Sequence, residues 1–194
     1  MTGATWIGLD RGDRDLAAAE HLVADVAPAL SGAASVACTH VVTDPFGHFA
    51  VSLEIPRELS GAEAMDLACT CLGARIAFSI DAEELAFGGP GDFQMGALLA
   101  AASHRDRTAG RAYGFPGAGA LTGSVAVADV IASSAIDRVD ALGHELDDAT
   151  LVVTRDHVRP LFRDGELVLV VVPRADGTVQ PFESATTHAC GGYH

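Results

Sequence analysis

Lysine and asparagine are absent from this chain of 194 residues, and all twelve of its basic residues are arginines. Without lysine there is no Schiff-base amine and no lysine for a phosphate-binding loop, so both chemistries are excluded. A bias of this kind accompanies a GC-rich genome, and a bacterial origin is expected. Long apolar runs are missing too: Asp, Glu, Gly or Pro interrupts every stretch before it reaches the ~20 residues a transmembrane helix needs. Met1 to Asp13 has no basic segment followed by an apolar one, so no secretory signal is expected. Cysteine is sparse, with Cys38, Cys69, Cys71 and Cys190 the only four, and these are expected to be thiols and not a disulfide framework.

Negative charge is in excess. Twenty-six acidic residues against twelve basic ones give a formal charge of -14, which repels nucleic-acid phosphates and anionic membrane surfaces. The expected location is the cytoplasm. The expected partners are a small-molecule substrate and a second copy of the chain, with no nucleic acid and no membrane.

With 49% hydrophobic residues, the chain is long enough for one well-buried core and short for two. The stretch from Thr150 to Phe182 organises the reading. Asp164-Gly165 between two β-favouring runs is a strong hairpin signal, because a type I′ turn needs positive φ at both central residues. Leu167 to Val172 does not alternate with polar residues, so both faces of that strand must be covered, as in a central strand. Pro173 to Gly177 reads as a second turn, and Thr178 to Phe182 as a third strand that Pro181 confines to an edge.

Earlier in the chain, Trp6 to Leu9 reads as a short strand and Asp10 to Asp13 as a turn. Apolar residues at Leu16, Ala19, Val23, Val26 and Leu30 have helical spacing. Val36 to Val42 and Phe49 to Ile55 alternate on either side of Thr43 to Gly47, which predicts a hairpin. Ser60 and Glu63 stand at capping-box spacing, before a helix expected to end at Gly73. Ile76 to Ile80 is a further strand. Asp92 is expected to cap a helix running to about Ser103, with His104, Arg105 and Arg107 placed to suit its negative end. Thr108 to Ser124 looks the least structured, and Val127 to Leu142 reads as another helix. The expected architecture is a single α+β domain over residues 1–183, an antiparallel or mixed sheet built from hairpins with about four packed helices, followed by a His/Cys tail over 184–194.

Candidate chemistry lies where His and Cys recur at i, i+2. Residues two apart on a strand share a face, so Cys38 and His40 can reach one ligand. On a helix they diverge by about 200°, so Cys69 and Cys71 are expected in the core. His188, Cys190 and His194 crowd the last residues, and three such donors suit a catalytic transition-metal site of zinc, copper or iron, with Cys38 and His40 able to complete it. In Arg155 to Arg159, Asp156 can orient His157 while Arg159 binds an anion, provided that a turn brings them together. His48 is expected to be exposed. The glycine-rich run Gly117 to Ser124 does not fit the dinucleotide fingerprint, since Thr122 occupies its last position and a helix precedes it. Two readings of function follow. One is a small cytoplasmic enzyme with a metal site made of His188, Cys190, His194, Cys38 and His40, and with Asp156, His157 and Arg159 as catalytic groups. The other is a non-catalytic ligand-binding or protein-partner module with a docking tail.

Overall fold

A computed structural model describes residues 3–26, 35–60, 62–63, 77–80, 86–87 and 91–183. In chain order its elements begin with β1 (Thr5–Asp13), α1 (Leu16–Val26), β2 (Val36–Val42), β3 (His48–Ile55), β4 (Ala77–Ile80), β5 (Ala86–Phe87), α2 (Gly91–Arg105) and β6 (Arg111–Gly114). They continue with β7 (Ser124–Ala126), α3 (Val127–Ser133), β8 (Arg138–Asp140), β9 (Leu151–Val153), β10 (Leu161–Arg163), β11 (Glu166–Pro173) and β12 (Val179–Pro181). The class is α+β, with many strands in mixed pairing and three helices among the described residues. No helix among those residues is long and apolar enough to cross a membrane.

The chain divides into two compact units, one formed by Met1–Pro116 with Leu161–Leu167 and the other by Gly117–Pro160 with Val168–His194. In the first unit the strand order is β5-β4-β1-β3-β2-β6-β10, antiparallel throughout. The expected β2/β3 hairpin is present, running from Val36 opposite Glu54 to Val42 opposite His48. Strand alternation then sorts the side chains. Ile7 and Leu9 of β1, Val51, Leu53 and Ile55 of β3 and Ala37 of β2 share one face, where Ala19, Leu22, Val23 and Val26 of α1 complete an apolar cluster. The helix forms because Asp15 caps it, its carboxylate accepting the Ala18 N–H at 2.9 Å.

The opposite face is different in kind. Gly8, Asp10, Cys38, His40, Ala50 and Ser52 occupy the alternate positions, which an amphipathic strand would turn to solvent. Here α2 covers them. A Cβ on Gly8 would land on the Ala97 carbonyl oxygen of α2, and one on Gly96 would land on the Asp10 carboxylate. Two glycines and a run of alanines (Ala97, Ala100, Ala101, all buried) thus let the helix backbone lie directly on the sheet.

β1 runs further than expected. Asp10 to Asp13 is not a free turn but a bulged continuation paired to β3, with the register shifting between Asp10 and Asp13. The capping box is present: Ser60 N–H donates to Glu63 Oε2 at 2.9 Å, and Glu63 N–H donates back to Ser60 Oγ at 3.2 Å. The rest of that expected helix lies outside the described residues. Thr108 to Ser124 is more ordered than expected, since it contains β6 and a short 3-10 turn at Ala118–Ala120.

In the second unit the pairing is mixed. β11 pairs in parallel with β8 and antiparallel with β12, β12 pairs in parallel with β9, and β9 pairs antiparallel with β7. Val168 and Leu169 point to opposite faces and both are buried, so the two-sided coverage read from their apolar run is observed. The turn before β11 has Asp164 at φ 53° and Gly165 at φ 87°, as a type I′ turn requires. β12 is not at an edge, because it lies between β11 and β9; Pro181 is tolerated as its last residue. The helix expected over Val127 to Leu142 stops at Ser133. The Ser133 and Ser134 hydroxyls donate back to the carbonyls of Asp129 and Val130, at 2.6 and 2.7 Å, and Ser134 is already extended. Arg138–Asp140 then joins β11 as a strand.

Replacing Gly8 with Ala sets a side-chain carbon against helix backbone that has no rotamer to yield. The Gly8→Ala variant is expected to lose about 3 kcal/mol of stability, whereas Gly47→Ala, with open space around it, is expected to stay within about 0.5 kcal/mol of the parent. Urea unfolding midpoints check both.

Candidate functional site

The sheet of the first unit opens beside β2. β6 pairs with β2 only as far as Thr39 opposite Arg111. At Gly110 the chain adopts φ 126°, a conformation open to glycine, and leaves the ladder. A cleft of about 450 Å³ occupies the notch, lined by Thr39 to Val42, Phe49, Leu99, Ala100, Ser103, Ala109 to Arg111, Leu161 and Phe162. Its walls are mostly apolar, and Val41 and Leu99 are exposed at its rim.

His40 is the imidazole in that lining. It is 8% exposed, and its Nε2 lies 2.8 Å from Ser52 Oγ. Ser52 Oγ in turn lies 2.8 Å from His104 Nδ1. The three side chains form a hydrogen-bonded chain from the cleft into the layer between β3 and α2, ending at His104 Nε2, which is buried without a partner among the described residues. The His104 ring lies against Phe162 at 5.2 Å, and the Arg107 guanidinium lies over the same phenyl ring at 5.3 Å. Burial lowers the pKa of His40 to about 4. Burial first, and then the charges of His40 and Arg107, lower that of His104 to about 3. Both rings are therefore neutral at physiological pH.

A second buried histidine is built differently. His48 Nδ1 donates to the Phe46 carbonyl at 2.7 Å, and Nε2 lies 2.9 Å from Asp10 Oδ2, with both side chains fully buried. Asp10 Oδ1 also accepts the Gly12 N–H at 2.8 Å. Burial raises the Asp10 pKa, and the bonds from His48 and Gly12 oppose that rise. Phe46 and Phe93 close around the imidazole, so this pair ties the β2/β3 turn to α2 and β1 without opening to a cleft.

The expected site residues fall as follows. Cys38 and His40 do share a face, since a Cβ on Gly110 would meet Cys38 Cβ at 3.2 Å and His40 Cε1 at 2.7 Å. Burial, followed by Glu54, pushes the Cys38 thiol up. Asp156, His157 and Arg159 belong to the second unit. A turn is present there, with Arg155 at φ 51° and Asp156 at φ 55°, and the Asp156 carboxylate accepts the Gly123 N–H at 3.2 Å. His157 and Arg159 are half-buried. His188, Cys190 and His194 lie outside the described residues, as do Cys69 and Cys71. Among the described residues no three His, Cys, Asp or Glu side chains gather as a metal-binding group.

One expectation is corrected. His48 is not exposed but fully buried, because Asp10 meets its ring where α2 covers the sheet. His104 stands in the last turn of α2, as expected, but its ring turns inward, 1% exposed, to Ser52. Ser52, His104 and Asp10 had no motif to mark them. The available signal was polar residues at alternating strand positions opposite a helix made of glycine and alanine. No protein family, curated protein or solved structure matches this chain.

The buried histidines fix a pH response. Their folded pKa values lie below the unfolded value of about 6.5, so the unfolded chain binds more protons as pH falls, and stability present above pH 6.5 is lost toward pH 4. At about 1.4 kcal/mol per pKa unit, His40 alone removes about 3 kcal/mol by pH 4. Asp10, whose pKa is raised, acts in the opposite sense at the acid end. Urea midpoints are expected to fall between pH 7 and pH 4.5, and less steeply in a His104→Leu variant.

Proposed function

We propose that the first unit is a small-molecule-binding module whose site is the cleft beside β2, with His40 as its polar anchor. The single observation that carries this reading is an apolar-walled cleft of about 450 Å³ with one imidazole in its lining. Its volume falls within the range of about 300 to 1,000 Å³ typical of ligand sites, which combine apolar walls with a few fixed polar groups. Gly110 supports the assignment, since only a residue without a side chain can pass this close to His40 in the cleft lining, where a Cβ would lie 2.7 Å from its Cε1.

Binding is favoured over general-base catalysis by the proton affinity of the anchor. A base works best when its pKa lies near the working pH, and His40, lowered to about 4, is mismatched to neutral conditions. A neutral imidazole instead makes a directional hydrogen-bonding group in a dry wall. Ligands of this site have a compact apolar body and one polar head.

The test is a set of small cyclic and branched fragments titrated into the full chain and followed by backbone amide shifts. Perturbations confined to residues 39–42, 99–103, 109–111 and 161–162 are expected. Leu99→Glu, which places a carboxylate at the exposed rim, is expected to weaken the best fragment by roughly tenfold, or about 1.4 kcal/mol. If no fragment shifts these amides, or if Leu99→Glu leaves affinity unchanged, the cleft is not the site.

A further inference from the structure

Ser52 stands between two imidazoles with a single hydroxyl proton to share. Its Oγ lies 2.8 Å from His40 Nε2 and 2.8 Å from His104 Nδ1; accepting from both rings would leave its own proton without a partner among the described residues, so it donates to one ring and accepts from the other. Each neutral ring carries one N–H, which leaves two self-consistent arrangements. In the first, His104 Nδ1–H donates to Ser52, Ser52 donates to a bare His40 Nε2, and the His40 proton resides on Nδ1. In the second every bond is reversed, and the His104 proton resides on Nε2.

The far end of the chain decides between them. His104 Nε2 is buried with no partner among the described residues, so the second arrangement would strand an N–H there, and orphaned buried N–H groups are rare. The neighbouring Phe162 ring offers no relief: its planes meet His104 at 37°, closer to stacked than to the edge-on geometry an N–H···π contact requires. The Arg107 cation on the same phenyl ring further favours a bare nitrogen on His104. At the near end, His40 lines the cleft and its Nε2 is taken by Ser52, so Nδ1 is the nitrogen left for a ligand.

We propose that Ser52 and His104 hold His40 as its Nδ1–H tautomer, so that the cleft offers a hydrogen-bond donor and selects apolar-bodied molecules bearing a carbonyl-type acceptor. This rests on the reading of the cleft as a binding site. Ser52 and His104 are positioning residues in it, since neither reaches the ligand and both act through the proton they leave on His40.

Two measurements test the proposal. The first needs no ligand: long-range proton–nitrogen spectra of the full chain at pH 7 are expected to show Nδ1 protonated and Nε2 bare on both His40 and His104. The reverse pattern overturns the proposal outright. The second compares cyclopentanone with cyclopentylamine, which share a ring and differ in offering an acceptor or a charged donor. The ketone is expected to bind at least about tenfold more tightly, and Ser52→Ala is expected to bring the ratio toward parity while Ser52→Thr preserves it. Equal or tighter binding of the amine overturns the tautomer-based selection while leaving the cleft a site. Failure of both probes to shift the cleft amides removes the site and the proposal together. A ratio unchanged in Ser52→Ala overturns the positioning role.

Discussion

The close approach of α2 to β1 governs the first unit. Gly8 and Gly96 carry no side chain where the two backbones meet, so the helix descends onto a sheet face that holds Asp10, Ser52, Cys38 and His40. A helix with larger residues at the contact would stand off and let water reach those groups. Instead they are dehydrated, and each must find its partner within the protein. The hydrogen-bonded chain through Ser52 and the Asp10–His48 pair are both products of that dehydration.

The two histidine arrangements show how burial can resolve in opposite ways. His48 has a carbonyl on one nitrogen and a carboxylate on the other, so both of its nitrogens face an acceptor within the protein. His40 and His104 share a hydroxyl in place of a carboxylate, and burial keeps them uncharged. The first arrangement is closed and ties elements together. The second ends at a cleft on one side and at a bare nitrogen on the other, and this asymmetry gives it chemical content.

Much of the local architecture was legible in the sequence, because it rests on short-range rules. The Asp164-Gly165 turn, the Ser60/Glu63 box, the β2/β3 hairpin and the doubly buried β11 each follow from a few adjacent residues. The failures share a different cause. His48 read as exposed, and Asp10, Ser52 and His104 were not marked as partners, because polar residues on a strand face are ordinarily solvated and only the packing of α2, distant in sequence, reverses that. The truncated α3 was hidden in the same way: Ser133 and Ser134 are weak breakers in isolation, and the competing partner of Arg138–Asp140 lies in β11, far along the chain. Of the site residues named from His and Cys spacing, Cys38 and His40 do come to one face, as the two-residue period of a strand requires.

Gly110 does two things at one position. Its left-handed backbone diverts the chain out of the β2 ladder, and its missing side chain lets the loop pass close against the His40 ring. The path of the loop and the placing of the imidazole therefore cannot be tuned separately: any replacement there strains the loop and presses on the His40 ring in the same step. A lineage that lost this glycine would lose that placing abruptly, and one that kept it would diversify ligand preference at the rim, at Val41 and Leu99, where side chains can change size without touching the buried hydrogen bonds.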